Sequence, residues 1–348
     1  MIKSIHSRNF DTLQLLRGIA AIAVVIFHEF GSSGLYILGQ HGVDLFFVLS
    51  GFIILYIHNG DIGNKKAVIP FLKKRLIRIF PIYWLVTFGY IIMVAIFKHS
   101  IISIDYIVHS LLLLPQEQDP IIGAAWTLEF EILFYLIFCG ILLFNKKIFY
   151  SMITIWGLTI IYFYIFPVKF PISIGRIFNP INLEFLFGCC VALLILKNKF
   201  NFKWTIHLGI ALIIVSAVLQ HYNVLNMHRF IMWGFPFAVL ILGLVKLEIN
   251  RYVSVPKILR YFGDASYSIY LTHLITLLIL GSIIKKLNLY DIFAPNIFVH
   301  LVFSVVSIVI GCVFYSIVEK PLLKYTKSLF IKNNGGKLQR NPYAIDLD

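Results

Sequence analysis

Apolar residues along this chain come in long unbroken runs, and short polar breaks separate one run from the next. A helix needs about 20 such residues to cross the hydrocarbon of a bilayer. The runs predict about ten transmembrane helices. They lie over Leu13–Phe30, Val43–Ile57, Ile79–Phe97, Ala124–Phe144, Ile148–Phe166, Ile181–Leu196, Thr205–His221, Phe230–Val245, Tyr267–Ile284 and Ile297–Val318. The second and sixth are short, which predicts tilt or re-entry. Tyr106–Leu114 is too short to span and predicts a half-helix. No soluble domain and no clear internal repeat interrupts the series. The predicted fold is all-α, a polytopic integral membrane protein. It has one transmembrane domain over 1–322 and a tail over 323–348 expected to lack regular structure.

The polar breaks differ in charge. Of the 30 Lys and Arg, one side of the predicted topology holds only Lys98, Lys169, Arg176, Arg229, Lys285 and Lys286. Apart from Arg17, which lies inside the first run, the remainder fall in the N-terminal segment, the alternate loops and the tail. Cytoplasmic loops carry the excess of Lys and Arg, so both termini are predicted to be cytoplasmic. The first run is too long for a signal-peptide core and carries Arg17, so it reads as uncleaved.

Composition narrows the partners. With 59% hydrophobic and 13% charged residues and a mean hydropathy of +0.88, the chain has no water-facing surface to offer. Its net charge of +14 is spread over loops between spans, which excludes nucleic acid and favours membrane lipids or an anionic small molecule. Cys139, Cys189, Cys190 and Cys312 lie in apolar runs without metal-ligand spacing, so neither a disulfide nor a metal site is expected.

Charges inside spans are costly and mark function by default. Arg17 and His28 share one face of the first helix, about 16 Å apart in depth. Asp11 suits an N-cap for that helix. Near the cytoplasmic end of the third span, Arg75 and Arg78 stand three residues apart, and the arginine fork suits phosphate oxygens. Asp264, Tyr267, Tyr270, His273, Glu319 and Lys320 are assigned to the same cytoplasmic layer. Toward the other side stand Asp44, Glu129, Glu131 and Glu184. Glu129 and Glu131 point to different helix faces, so they do not share one site. A carboxylate from Asp44 suits the orientation of His28. Together these suggest a phosphate-rich donor at the arginines and a hydroxyl near His28, although a transporter would show similar buried charges.

The same residues resemble the membrane acyltransferase-3 family, in its exopolysaccharide acetyltransferase branch. The matching pieces run in order from Leu13 to Pro321. They are Leu13-Gln14-Leu15-Leu16-Arg17-Gly18 with Phe27-His28; Gly42-Val43-Asp44-Leu45-Phe46-Phe47-Val48-Leu49-Ser50-Gly51-Phe52; and Arg75-Leu76-Ile77-Arg78 with Pro81, Tyr83 and Trp84. Then follow Gly123, Trp126-Thr127-Leu128, Glu131 and Phe134-Tyr135; Glu184-Phe185-Leu186-Phe187-Gly188; Gly263-Asp264-Ala265-Ser266-Tyr267-Ser268-Ile269-Tyr270-Leu271-Thr272-His273; and Glu319-Lys320-Pro321. The resemblance implies ten core spans in a bacterial cytoplasmic (inner) membrane. It also implies transfer of acetyl or another short acyl group from cytoplasmic acetyl-CoA or another acyl-CoA, as co-substrate, to a hydroxyl of an extracytoplasmic glycan or lipid-linked saccharide. Arg17, Arg75 and Arg78 would hold the donor's phosphates. His28 would be the base or a transient acyl carrier, with Asp44 or Glu131 orienting it. Ser50, Tyr270 and Glu319 match further motif positions. Alternatives at this stage are a small-molecule acceptor, a succinyl donor, or a glycan or acyl exporter without chemistry.

Overall fold

In the computed structural model, residues 10–31, 34–98, 102–197, 204–225, 227–287 and 297–333 are described, and every regular element among them is helical. Lys3, Arg8 and the basic tail beyond Asn333 lie outside the described residues. The helices are α1 (Asp11–Phe30), α2 (Gly42–His58), α3 (Lys65–Lys98), α4 (Ile104–Leu112), α5 (Trp126–Leu142), α6 (Lys146–Ile165) and α7 (Ile172–Ile177). They continue with α8 (Asn182–Lys197), α9 (Thr205–His221), α10 (Phe235–Ile249), α11 (Lys257–Asp264), α12 (Ser266–Lys286), α13 (Ile297–Phe314) and α14 (Lys320–Asn333). Among the described residues nine segments are long and apolar enough to span, and α9 is a tenth, shorter apolar helix.

The departures from the apolar pattern are local. The second and sixth spans lengthen to Leu38–Asp61 and Ile172–Lys197, because 3-10 turns and α7 extend them. The third span begins fourteen residues before Ile79: α3 continues through Pro70 and Pro81, so Arg75 and Arg78 are carried on a helix. The expected half-helix appears as α4, roped to α3 by Tyr83, which donates to the Ser110 carbonyl at 2.6 Å. The region from 323, expected to lack structure, continues as helix to Asn333.

Asp11 does not cap α1. Phe10 holds the cap position without a side-chain bond, and the first N–H groups are satisfied across the bundle instead. Glu248 of α10 accepts from the Asp11 and Thr12 amides at 2.8 and 2.9 Å, and from Thr12 Oγ1 at 2.6 Å. A carboxylate at a helix N-terminus satisfies orphan donors and opposes the helix dipole. Asp11 itself pairs with Arg260 at 3.2 Å.

Lipid gives helices little hydrophobic reason to associate, so close packing must hold them. At the α2–α8 crossing a Cβ on Gly51 would lie 1.9 Å from the Phe185 carbonyl oxygen, and one on Gly188 would lie 2.0 Å from that of Val48. Only glycine permits this approach. Around the crossing Phe47, Phe134 and Phe185 stack into an aromatic core with α5. Against this block α1 packs beside α2, α11 and α12, and α12 packs on α13. Helices α1 and α12 run parallel, because Arg17 meets Ser266 near one end and His28 meets His273 further along.

Candidate active site

Two helices, α1 and α3, bring three guanidinium groups to the end of the bundle where α1 begins. Arg17 of α1 donates from Nε to Ser266 Oγ at 3.3 Å. It also lies within electrostatic reach of Arg78, Glu131, Tyr135 and Glu319. Arg75 sits 5.9 Å from the Phe71 ring centre and 5.8 Å from that of Tyr135. Such faces attract a cation without neutralising it. Tyr135 donates to Glu131 Oε1, and Ser50 donates to the same oxygen at 3.4 Å. Glu319 accepts from Ser268 Oγ at 2.5 Å, on a π-helical turn, Tyr315–Glu319, that closes α13.

Asp264, at the end of α11, reaches the same layer. Burial pushes its carboxyl above the ordinary value, and the nearby Arg17 and Arg78 oppose that rise. Among the described residues the ion pairs closer than 4 Å fall elsewhere, so Arg17, Arg75 and Arg78 are not closed off by carboxylates. All three are partly accessible. Crowded cations with unspent N–H forks suit a ligand bearing several phosphate oxygens.

The histidine lies further along the same face of α1. His28 is exposed, and its Nδ1 is 2.9 Å from the Val24 carbonyl oxygen, one turn back. The same nitrogen is 3.2 Å from Nε2 of His273 on α12, with ring centres 4.9 Å apart. His273 is wholly buried, and its Nδ1 donates to the Tyr270 carbonyl. His273 was assigned above to the cytoplasmic layer. The pairing of Arg17 with Ser266 instead sets α12 so that His273 stands beside His28.

The expectation that Asp44 orients His28 is not met. Asp44 is 0% exposed, and the imidazole it holds is His41, at 2.9 Å. Arg229 clamps both its oxygens from Nε and Nη2 at 2.6 and 2.8 Å. Arg229 lies just outside its span, where burial works against its charge; Asp44 outweighs that and holds the guanidinium above its ordinary value. His41 stacks on Trp233 at 4.1 Å, and Gln220 Oε1 accepts from both rings at 3.0 Å. Glu131 belongs to the guanidinium layer. Glu129, on the other face of α5 as expected, faces Arg176 at 3.3 Å.

The structure therefore gathers Arg17, Arg75, Arg78 and Glu131, sets His28 further along α1, and takes Asp44 into a separate ion pair. His273 and Arg229 are the residues whose places were missed. Arg229 carried a signal, as one of the few cations on the cation-poor side. For His273 none existed, because its depth follows from how α12 slides against α1.

A bundle with nine apolar helices long enough to span among the described residues, a guanidinium layer at one end and an accessible histidine deeper in is that of a multi-pass membrane protein. The chain belongs to an acyltransferase family: residues 10–317 match the family described as acyltransferase domain. Among curated proteins it is 29% identical over 326 residues to the exopolysaccharide production protein ExoZ of Rhizobium meliloti (strain 1021), covering 86% of this chain and 95% of that protein. No solved structure matches the chain.

Proposed function

We propose that this protein is an O-acyltransferase of a bacterial cytoplasmic membrane. It moves an acyl group, in the simplest case acetyl, from cytoplasmic acyl-CoA to a hydroxyl of an extracytoplasmic glycan or lipid-linked saccharide. The observation that carries the reading is the shared face of α1. That face bears Arg17 within a cluster of three guanidiniums, and the exposed His28 about 16 Å further along the helix. The excess of Lys and Arg in the loops at the Arg17 end supports a cytoplasmic place for that end, where acyl-CoA is found. The name of the relative from Rhizobium meliloti supports a polysaccharide-type acceptor.

In this reading Arg17, Arg75 and Arg78 bind the donor's phosphates, and the donor's thin arm leads the thioester toward His28. His28 takes the proton of the acceptor hydroxyl while its oxygen attacks the thioester carbonyl. The carbon–sulfur bond breaks, and the proton returns from His28 to the leaving thiolate. Glu131, held by Ser50 and Tyr135, balances the cationic cluster without quenching it. Asp44, expected above to orient His28, acts in this reading by fixing the helices around the site.

The test is turnover of acetyl-CoA by purified protein in proteoliposomes with a glycan acceptor, for wild type, His28→Ala and Arg75→Ala. The reading expects transfer to vanish in His28→Ala, while the protein still inserts and expresses. It expects Arg75→Ala to require more donor. Near-normal product from His28→Ala would overturn the assignment of the base. Intact acyl-CoA with wild type, together with transport of the glycan, would replace enzyme by exporter.

A further inference from the structure

We propose that His273 is a positioning residue that, together with the Val24 carbonyl, holds the proton on His28 Nδ1 and so leaves His28 Nε2 as the bare, basic nitrogen. The inference rests on the reading of His28 as the base and extends it to a partner on another helix.

Register brings the two rings together. Arg17 Nε meets Ser266 Oγ at 3.3 Å. Val24 stands seven residues beyond Arg17, and His273 seven residues beyond Ser266. On parallel helices both steps rise about 10 Å, so Val24 and His273 stand level. The His28 side chain leans back one turn toward the start of its helix, as helical side chains do. Its ring therefore arrives at the level of His273.

Hydrogen-bond chemistry then assigns the protons. A carbonyl oxygen only accepts. The Tyr270 carbonyl beside His273 Nδ1 therefore receives an N–H from that nitrogen. The Val24 carbonyl, 2.9 Å from His28 Nδ1, likewise receives an N–H. Were His273 protonated on Nε2 as well, two N–H groups would face each other across 3.2 Å. His273 is thus neutral with its Nε2 lone pair toward His28, and the His28 Nδ1–H points between Val24 O and His273 Nε2. The tautomer of one ring nitrogen follows from the bond made by the other, so the free site on His28 is Nε2, on an exposed side chain.

The arrangement changes strength during the reaction. When Nε2 takes the acceptor's proton, the imidazolium donates from Nδ1 to His273 Nε2 as a charge-assisted bond, shorter and stronger than the neutral one. An interaction that strengthens as charge develops raises kcat and leaves donor binding alone. His273 thereby does for His28 what a carboxylate was expected to do. It suits a wholly buried position, where a carboxylate would bring an unneutralised charge.

The experiment compares His273→Phe, which keeps an apolar packed ring, with His273→Gln, whose side-chain carbonyl oxygen reaches the position of the lost Nε2. Readouts are kcat, KM for acetyl-CoA and thermal unfolding in detergent. The inference expects kcat to fall roughly ten- to hundredfold in His273→Phe with KM unchanged, and to recover in large part in His273→Gln. It also expects His28→Ala/His273→Phe to be no less active than His28→Ala, because His273 acts only through His28. Near-wild-type kcat in His273→Phe overturns the inference. So does an equal or larger loss in His273→Gln, which is the order expected if the ring serves packing alone. An inactive His28→Ala beside a normal His273→Phe removes only this inference, whereas an active His28→Ala removes the reading beneath it.

Discussion

Two groups of arginines in this bundle have neighbours that give them opposite characters. Around Arg229 each cation has its carboxylate: Asp44 accepts two guanidinium bonds and is completed by His41, and Arg176 faces Glu129. Around Arg17, Arg75 and Arg78 the neighbours are aromatic faces, hydroxyls and one another, with Glu131 and Glu319 at longer range. The first arrangement is closed and holds α2 against the segment before α10. The second keeps donors unspent beside like charges, which costs stability unless an anion arrives to relieve it. Residue type alone does not separate a structural arginine from a binding one; the partner already in place does.

Breaking the closed pair carries the largest expected effect on the fold. Asp44→Ala leaves the half-buried Arg229 and the buried His41 without their shared acceptor and should lower stability by about 3 kcal/mol. The readout is thermal unfolding in detergent. Removing both charges, as Asp44→Ala with Arg229→Met, should recover part of that loss. A single variant that unfolds like wild type would erase the contrast between the two regions.

At the open cluster the effect moves from stability to affinity. Arg75→Gln should raise the KM for the acyl donor roughly ten- to hundredfold, while unfolding is unchanged or slightly later because like charges separate. Arg75→Lys keeps the charge and loses the fork, so its KM should fall between those of wild type and Arg75→Gln. Destabilisation by Arg75→Gln comparable to that of Asp44→Ala would make the cluster structural. The smallest effect expected is from Ser50→Ala, which removes a 3.4 Å bond to Glu131. A change in donor KM worth less than about 1 kcal/mol is expected there, read in the same titration.

Much of this was legible along the chain because lipid is an unforgiving solvent. The apolar runs located the spans, and the spacing of Arg17 and His28, and of Arg75 and Arg78, put each pair on one helix face. Glu129 and Glu131 were separable for the same reason, since two residues turn a helix to another face. Errors came wherever a partner lay on another helix. Asp11 looked like its own helix's cap, yet Glu248, more than 230 residues away, supplies the acceptor. Asp44 stood near the His28 end of α1 in sequence order and was taken by Arg229.

By itself, then, the sequence determined that the chain crosses a membrane many times, which helix faces carry charge, and which family it resembles. Periodicity and hydrophobic length act within one helix and need no knowledge of its neighbours. Only the tertiary structure decided which carboxylate meets which cation, and that His273 rather than an acid stands behind His28. Those choices depend on the slide and rotation of packed helices, set by contacts such as Gly51 on Phe185 and Arg17 on Ser266. A shift of one helical turn would give every buried polar group a different partner.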